Sequence, residues 1–151
     1  TALGEIGPTA RRGVPAIAKL LTDAHASVRR QAAYALGLMG GAARPALPKL
    51  MQLTEEGNAG VRAAAAGALG GIGPGMFDPV PALARAVKDH DARVRESAMV
   101  ALGNLGPDAS AALPDLQAAG ADEDERMKAI AEWAIASITE GGAAPEPAPE
   151  Q

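Results

Sequence analysis

The 151-residue chain predicts an all-α fold, an α-solenoid (an α-α superhelix) in which helical hairpins stack along one axis. Three observations carry this prediction. Residue types return every 33 positions without insertion or deletion, as in the columns Leu3, Leu36, Leu69, Leu102, Ile135 and Val28, Val61, Val94, Met127. A fixed period of that size marks an array of like units, each of which buries its apolar face only by stacking on a neighbour. Within a unit, apolar residues fall at helical spacing twice over. The apolar share is 48% with only 2% aromatic, and most of it is alanine. Small side chains of this kind suit helices that approach closely around a thin core.

Residues 1–7, Thr-Ala-Leu-Gly-Glu-Ile-Gly, match the end of a unit and are expected to be the C-terminal stub of a preceding repeat, so the chain reads as cut from something longer. Four full units follow, at 8–40, 41–73, 74–106 and 107–139. Pro8, Pro74 and Pro107 open three of them, where a fixed φ suits a first helical turn, and Gly41 opens the other. Val14, Ile17, Leu20 and Leu21 then lie on one face of a first helix. Because proline removes an interior helical hydrogen bond, the column Pro15, Pro48, Pro81, Pro114 either kinks that helix or marks its start.

The loop Asp23-Ala24-His25-Ala26 joins the two helices, and Val28, Ala32, Ala35, Leu36 and Met39 form the apolar stripe of the second. Gly40, with Gly7, Gly73 and Gly106, is expected to end the second helices in the αL conformation. Glycine also returns inside these helices, at Gly4, Gly37, Gly70 and Gly103. Each costs roughly 1 kcal/mol relative to alanine, so the column marks places where neighbouring helices nearly touch. The fourth unit drifts to Met127-Lys128, Ile135-Ala136 and Thr139, as a capping repeat should. The tail 140–151 has no apolar periodicity and is expected to be disordered.

Asp23, Val28-Arg29, Ala32, Ala35-Leu36-Gly37 and Gly40 recur as Glu56, Val61-Arg62, Ala65 and Ala68-Leu69-Gly70, then as Asp89, Val94-Arg95, Ala98 and Ala101-Leu102-Gly103. This pattern resembles the HEAT repeat, in the bacterial HEAT-like class named for phycobilisome lyases, and the likeness covers residues 1–139. It implies an armadillo-like helical fold whose second helices line the concave side. About activity it implies little, since that class contains scaffolds, chromophore lyases, metal-dependent hydroxylases and DNA glycosylases on one framework.

The acid column Asp23, Glu56, Asp89, Asp122 and the base column Arg29, Arg62, Arg95, Lys128 stand six residues apart in every unit. An active site is needed once, so their repetition reads as a structural ladder in which the carboxylate caps backbone N–H groups and accepts from arginine. No catalytic residue, cofactor site or metal ligand is expected. His25 and His90 are loop residues two units apart, the chain lacks the repeated His-Glu dipeptides of the diiron hydroxylases, and it contains no cysteine. Gly70-Gly71-Ile72-Gly73-Pro74-Gly75 is the turn of the repeat and follows no strand, as a phosphate-cradling loop would. The reading is a non-enzymatic protein-interaction scaffold. The alternative is a HEAT-like enzyme or enzyme accessory, of bilin lyase or metal-dependent hydroxylase and oxidoreductase type.

A helical wheel places the irregular columns of the second helix in a stripe about 90° from the core direction. The stripe reads Ser27, Gln31, Tyr34, Leu38 in the first unit, Arg93, Ser97, Val100, Asn104 in the third and Arg126, Ile130, Trp133 in the fourth. In the second unit it is Gly60, Ala64, Gly67 and Gly71, a dent that admits a partner's side chain or helix. Tyr34 and Trp133 are the expected anchors, and Arg93 and Arg126 point to an acidic or amphipathic helical partner.

The net charge of −4 argues against a nucleic-acid partner. It is uneven, with −7 in residues 115–151 and +3 in residues 1–114. No segment is apolar enough to span a bilayer, so no membrane partner is expected. The chain is expected to act as a monomer or as part of a longer protein. Its compartment is left open, with the cytoplasm favoured.

Overall fold

The structure is a computed structural model that describes residues 2–121 and 124–141. Among the described residues eight α-helices follow one another: α1 (Ala2–Leu20), α2 (Ala26–Leu38), α3 (Leu47–Leu53), α4 (Ala59–Ile72), α5 (Val80–Ala86), α6 (Ala92–Leu105), α7 (Leu113–Ala119) and α8 (Glu125–Thr139). The proline column decides where the first helices begin. Pro48, Pro81 and Pro114 each sit in the first turn of α3, α5 and α7, where their missing N–H has no helical partner to lose. Tight 3-10 turns, Gly40–Ala46 and Gly106–Ala112, lead into α3 and α7. Pro15 is the exception, standing in the interior of α1.

The second helices carry the fold. α4 packs between α2 and α6, and α6 packs on α8, so the array is all-α and stacks along one direction. The stripe columns supply its core: Val61, Ala65, Ala68, Leu69 and Ile72 in α4 are buried, as are Val94, Ala98, Ala101, Leu102 and Leu105 in α6. Small residues let these helices come together through backbone. A Cβ built on Gly37 would lie 2.9 Å from the Cα of Ala68, and one on Gly70 would lie 2.6 Å from the Cα of Ala101. Contacts that short leave no room for a side chain.

At α8 the contact changes. The atoms nearest a Cβ on Gly103 belong to the indole of Trp133, one position earlier than the alanine column that meets Gly37 and Gly70. α8 thus turns a different face to α6, and Ile130 and Trp133 are buried.

Two expectations about the turns are corrected. Gly40, Gly73 and Gly106 do have positive φ, at 58°, 76° and 62°. Gly73 and Gly106 combine it with ψ of 177° and −141°, however, so the chain leaves the helix by an extended step instead of an αL cap. The turn expected at Gly7 and Pro8 does not form, and α1 runs straight through both. Helix propagation adds a hydrogen bond for each further residue fixed, which favours one continuous helix. Asp122, and the expected disordered tail from residue 142 onward, lie outside the described residues.

Candidate functional site

The acid and base columns meet across units. Arg62 Nε and Nη2 donate to the two carboxylate oxygens of Asp89 at 2.8 and 3.0 Å, while its Nη1 donates to the carbonyls of Glu56 and Gly57 at 2.9 and 3.1 Å. Arg29 repeats this arrangement, with both oxygens of Glu56 ahead of it and the carbonyls of Asp23 and Ala24 behind. Each arginine therefore fastens its own loop to the loop of the next unit. Arg95 Nη1 grips the carbonyls of Asp89 and His90 in the same way, at 2.9 and 3.1 Å. Lys128 pairs with Glu125 on its own helix.

The capping role expected of the acid column belongs to the residue two positions later. The side chains of Asn58, Asp91 and Asp124 accept from the first-turn N–H groups of Val61, Arg93 and Arg126, and Asp124 accepts also from Met127. His25, in the same column, makes no such bond. Aspartate or asparagine directly before a helix is the usual N-cap, and that was the available sequence signal. Asp89 and Asp23 instead accept from the N–H two residues on, inside the loop.

These contacts set the acid response. Burial raises the pKa of Asp89, but hydrogen bonds from the Arg62 guanidinium and the Asp91 N–H outweigh it and hold the carboxyl below its usual value. The Arg93 side chain draws Asp91 down to about 2. A carboxylate with a depressed folded pKa stabilises fully above its unfolded value of 3.8, and that stability is lost as pH falls through the folded value. Melting temperature is therefore expected to fall between about pH 4 and pH 2. Asp89→Asn should flatten that fall while lowering Tm at pH 7, as thermal melts across the range would record.

On the open face of the second helices a groove of about 670 Å³ lies between α2 and α6. Tyr34 and Leu38 form one wall, 61% and 72% exposed. Ala64, Gly67 and Gly71 form the floor, and Arg93 and Ser97 the far wall. Nothing approaches within 4 Å of a Cβ built on Gly67, so the dent there is open space. Gln31 lines the groove as well.

The remaining stripe residues are not brought together with these. Ile130 and Trp133 are buried between helices and cannot serve as exposed anchors, because the indole occupies the space beside Gly103. Val100, Asn104 and Arg126 do not line the groove, and Ser27 belongs to a smaller one beside α1. The two arginines of the stripe are both paired with acids. Arg93 is held by both oxygens of Asp91, and Arg126 donates to Glu96 at 2.5 Å. Arg30, which the stripe omitted, does line the groove and has no ion pair among the described residues. Its place on the flank of the stripe was the signal for it.

A sequence model for HEAT repeats matches residues 1–70 and 47–136. The chain belongs to the HEAT-repeat family. No curated protein matches it. Among solved structures, the HEAT array is similar to an engineered protein at 26% identity and a TM-score of 0.69, a match covering 86% of this chain and 64% of the other. The array thus spans less than two thirds of that engineered chain. It is also similar to the complex of CpcE and CpcF of phycocyanin lyase from Nostoc sp. PCC7120, at 23% identity and a TM-score of 0.63, covering 90% of this chain and 84% of that one. The second likeness is one of fold. Among the described residues no helix of the HEAT array is long and apolar enough to cross a membrane, and no cluster of three acidic or histidine side chains is placed to hold a metal ion.

Proposed function

We propose that this chain is a non-enzymatic protein-interaction scaffold that holds a segment of a partner protein in the groove along its second helices. The observation that carries this reading is the open dent at Gly67 beside two exposed apolar side chains, Tyr34 and Leu38. Water-exposed leucine and tyrosine flanking bare backbone offer apolar area and a socket together, which is how a helix seats an anchor residue. Arg30 adds an uncompensated positive charge at the rim, so the favoured partner is an amphipathic helix with acidic residues along one flank.

The test is a pull-down from the source lysate with the parent and with Tyr34→Ala and Gly67→Leu, each checked for an unchanged circular dichroism spectrum. Tyr34→Ala is expected to weaken capture by about 30-fold, the range of an interface hot spot. Gly67→Leu should abolish capture by filling the socket. Equal recovery from all three would place the binding surface elsewhere. A saturable, stoichiometric absorbance band on titration with a bilin or iron would replace the scaffold reading with a lyase or hydroxylase one.

A further inference from the structure

The groove over α4 differs between its two ends. α2 and α4 run parallel, because a Cβ built on Gly60 would lie 3.6 Å from the Cδ of Arg30 and one on Gly37 would meet Ala68. α6 follows the same repeat, with Gly70 against Ala101 near the C-terminal ends of both helices. The N-terminal ends of all three helices therefore lie at one end of the groove and their C-terminal ends at the other. At the first end Arg30 is exposed, lines the groove and carries no ion pair among the described residues. Arg93 stands at the same end but is already held by Asp91, which leaves Arg30 as the charge offered to a partner. At the second end Leu38 is exposed, and no basic residue stands in the last turn of α2, α4 or α6. Arg44 lies along Gly41 and Gly75 in the linkers and does not line the groove.

On the reading that this groove seats a partner helix, we infer that the helix lies antiparallel to α4, with its C-terminal turn at Arg30. Parallel helices add their dipoles, so the end that holds Arg30 is positive and the end that holds Leu38 is negative. A helix laid antiparallel opposes all three dipoles and brings its own negative end to Arg30. Laid the other way, it would bring its positive end there.

Direction and register together give the chemistry of the partner. The floor residues Gly60, Ala64, Gly67 and Gly71 share one face of α4 and span about 16 Å, or three helical turns. An antiparallel helix meets them in reverse order. Its bulky apolar residue enters the socket at Gly67 beside Tyr34, and a second one, four positions earlier, covers Gly71 against Leu38. Ala64 carries the one methyl group on this floor, so the residue three positions after the socket residue is small. Seven positions after it an aspartate or glutamate reaches Arg30, at the level of Gly60. In the opposite direction the acid would stand seven positions before the socket residue, so a ligand's sequence reports its orientation.

The test selects binders from a display library of amphipathic helical peptides, randomised along one face, with counter-selection on Gly67→Leu. Enriched peptides are expected to carry an acid seven residues C-terminal to their socket residue. For such a peptide, exchanging the acid for lysine should weaken binding to the parent about fivefold, the range of an exposed ion pair. The lysine peptide should in turn bind Arg30→Glu more tightly than the acidic one does. Enrichment of the acid on the N-terminal side, or at no fixed position, would overturn the orientation and leave the groove as a partner site. So would a lysine peptide that gains nothing on Arg30→Glu. If no enriched peptide distinguishes the parent from Gly67→Leu, the groove reading falls and the orientation with it.

Discussion

Replacing Arg62 by alanine is expected to destabilise the array by about 3–5 kcal/mol, because it strands the Asp89 carboxylate in a largely buried site. The side chain is 7% exposed and that of Asp89 12%. The loss extends further, since the same guanidinium also satisfies the carbonyls of Glu56 and Gly57. For a chain of this size Tm should drop by roughly 10 °C. Arg62→Lys should recover only part of it, since one ammonium cannot serve a carboxylate and two carbonyls in that fixed geometry. Arg29→Ala should cost less, because its pair with Glu56 is more exposed. Thermal melts of the three variants check the order, and a melting temperature for Arg62→Ala equal to that of the parent would remove the ladder from the account of stability.

Gly70→Ala should destabilise by about 1–3 kcal/mol, the cost of overpacking, although alanine is the better helix former. The added methyl would lie 2.6 Å from the Cα and 2.7 Å from the Cβ of Ala101, and neither atom can rotate away. Gly67→Ala, three residues earlier in the same helix, should do the opposite and stabilise by about 0.8–1 kcal/mol. Its methyl meets nothing within 4 Å. Denaturant melts of the pair separate a glycine kept for helix contact from one that leaves a surface bare, and a shift of the same sign in both would contradict the assignment.

The sequence could reveal the stacked fold because stacking imposes a period, and the period is visible without coordinates. Gly37 and Gly70 were legible as contact points, since nothing else justifies glycine at the same interior position of α2, α4 and α6. The pairing partner of Arg62 was not. An acid six residues before it and an acid 27 residues after it belong to one column when the repeat is 33, so spacing cannot tell a loop's own carboxylate from its neighbour's. The stripe was legible where α2, α4 and α6 share one orientation, which is why Tyr34, Leu38 and Gly67 fall in one groove. It failed at Ile130 and Trp133, because a helical wheel assumes that each second helix presents the same face to its neighbour. A large ring beside Gly103 changes that face.

The Trp133 contact also sets where the array yields under load. Stacked hairpins behave as springs in series, and the softest joint takes most of the bend. Between α2 and α4 and between α4 and α6, backbone lies on backbone, with no side-chain torsion to give. Between α6 and α8 an indole serves as the bearing, and its buried Nε1 has no hydrogen-bond partner among the described residues to pin the ring. Tilting there changes χ angles instead of compressing main chain. Strain applied along the solenoid is thus expected to collect at the last joint, while the three helices that form the Gly67 groove move as one stiff plate.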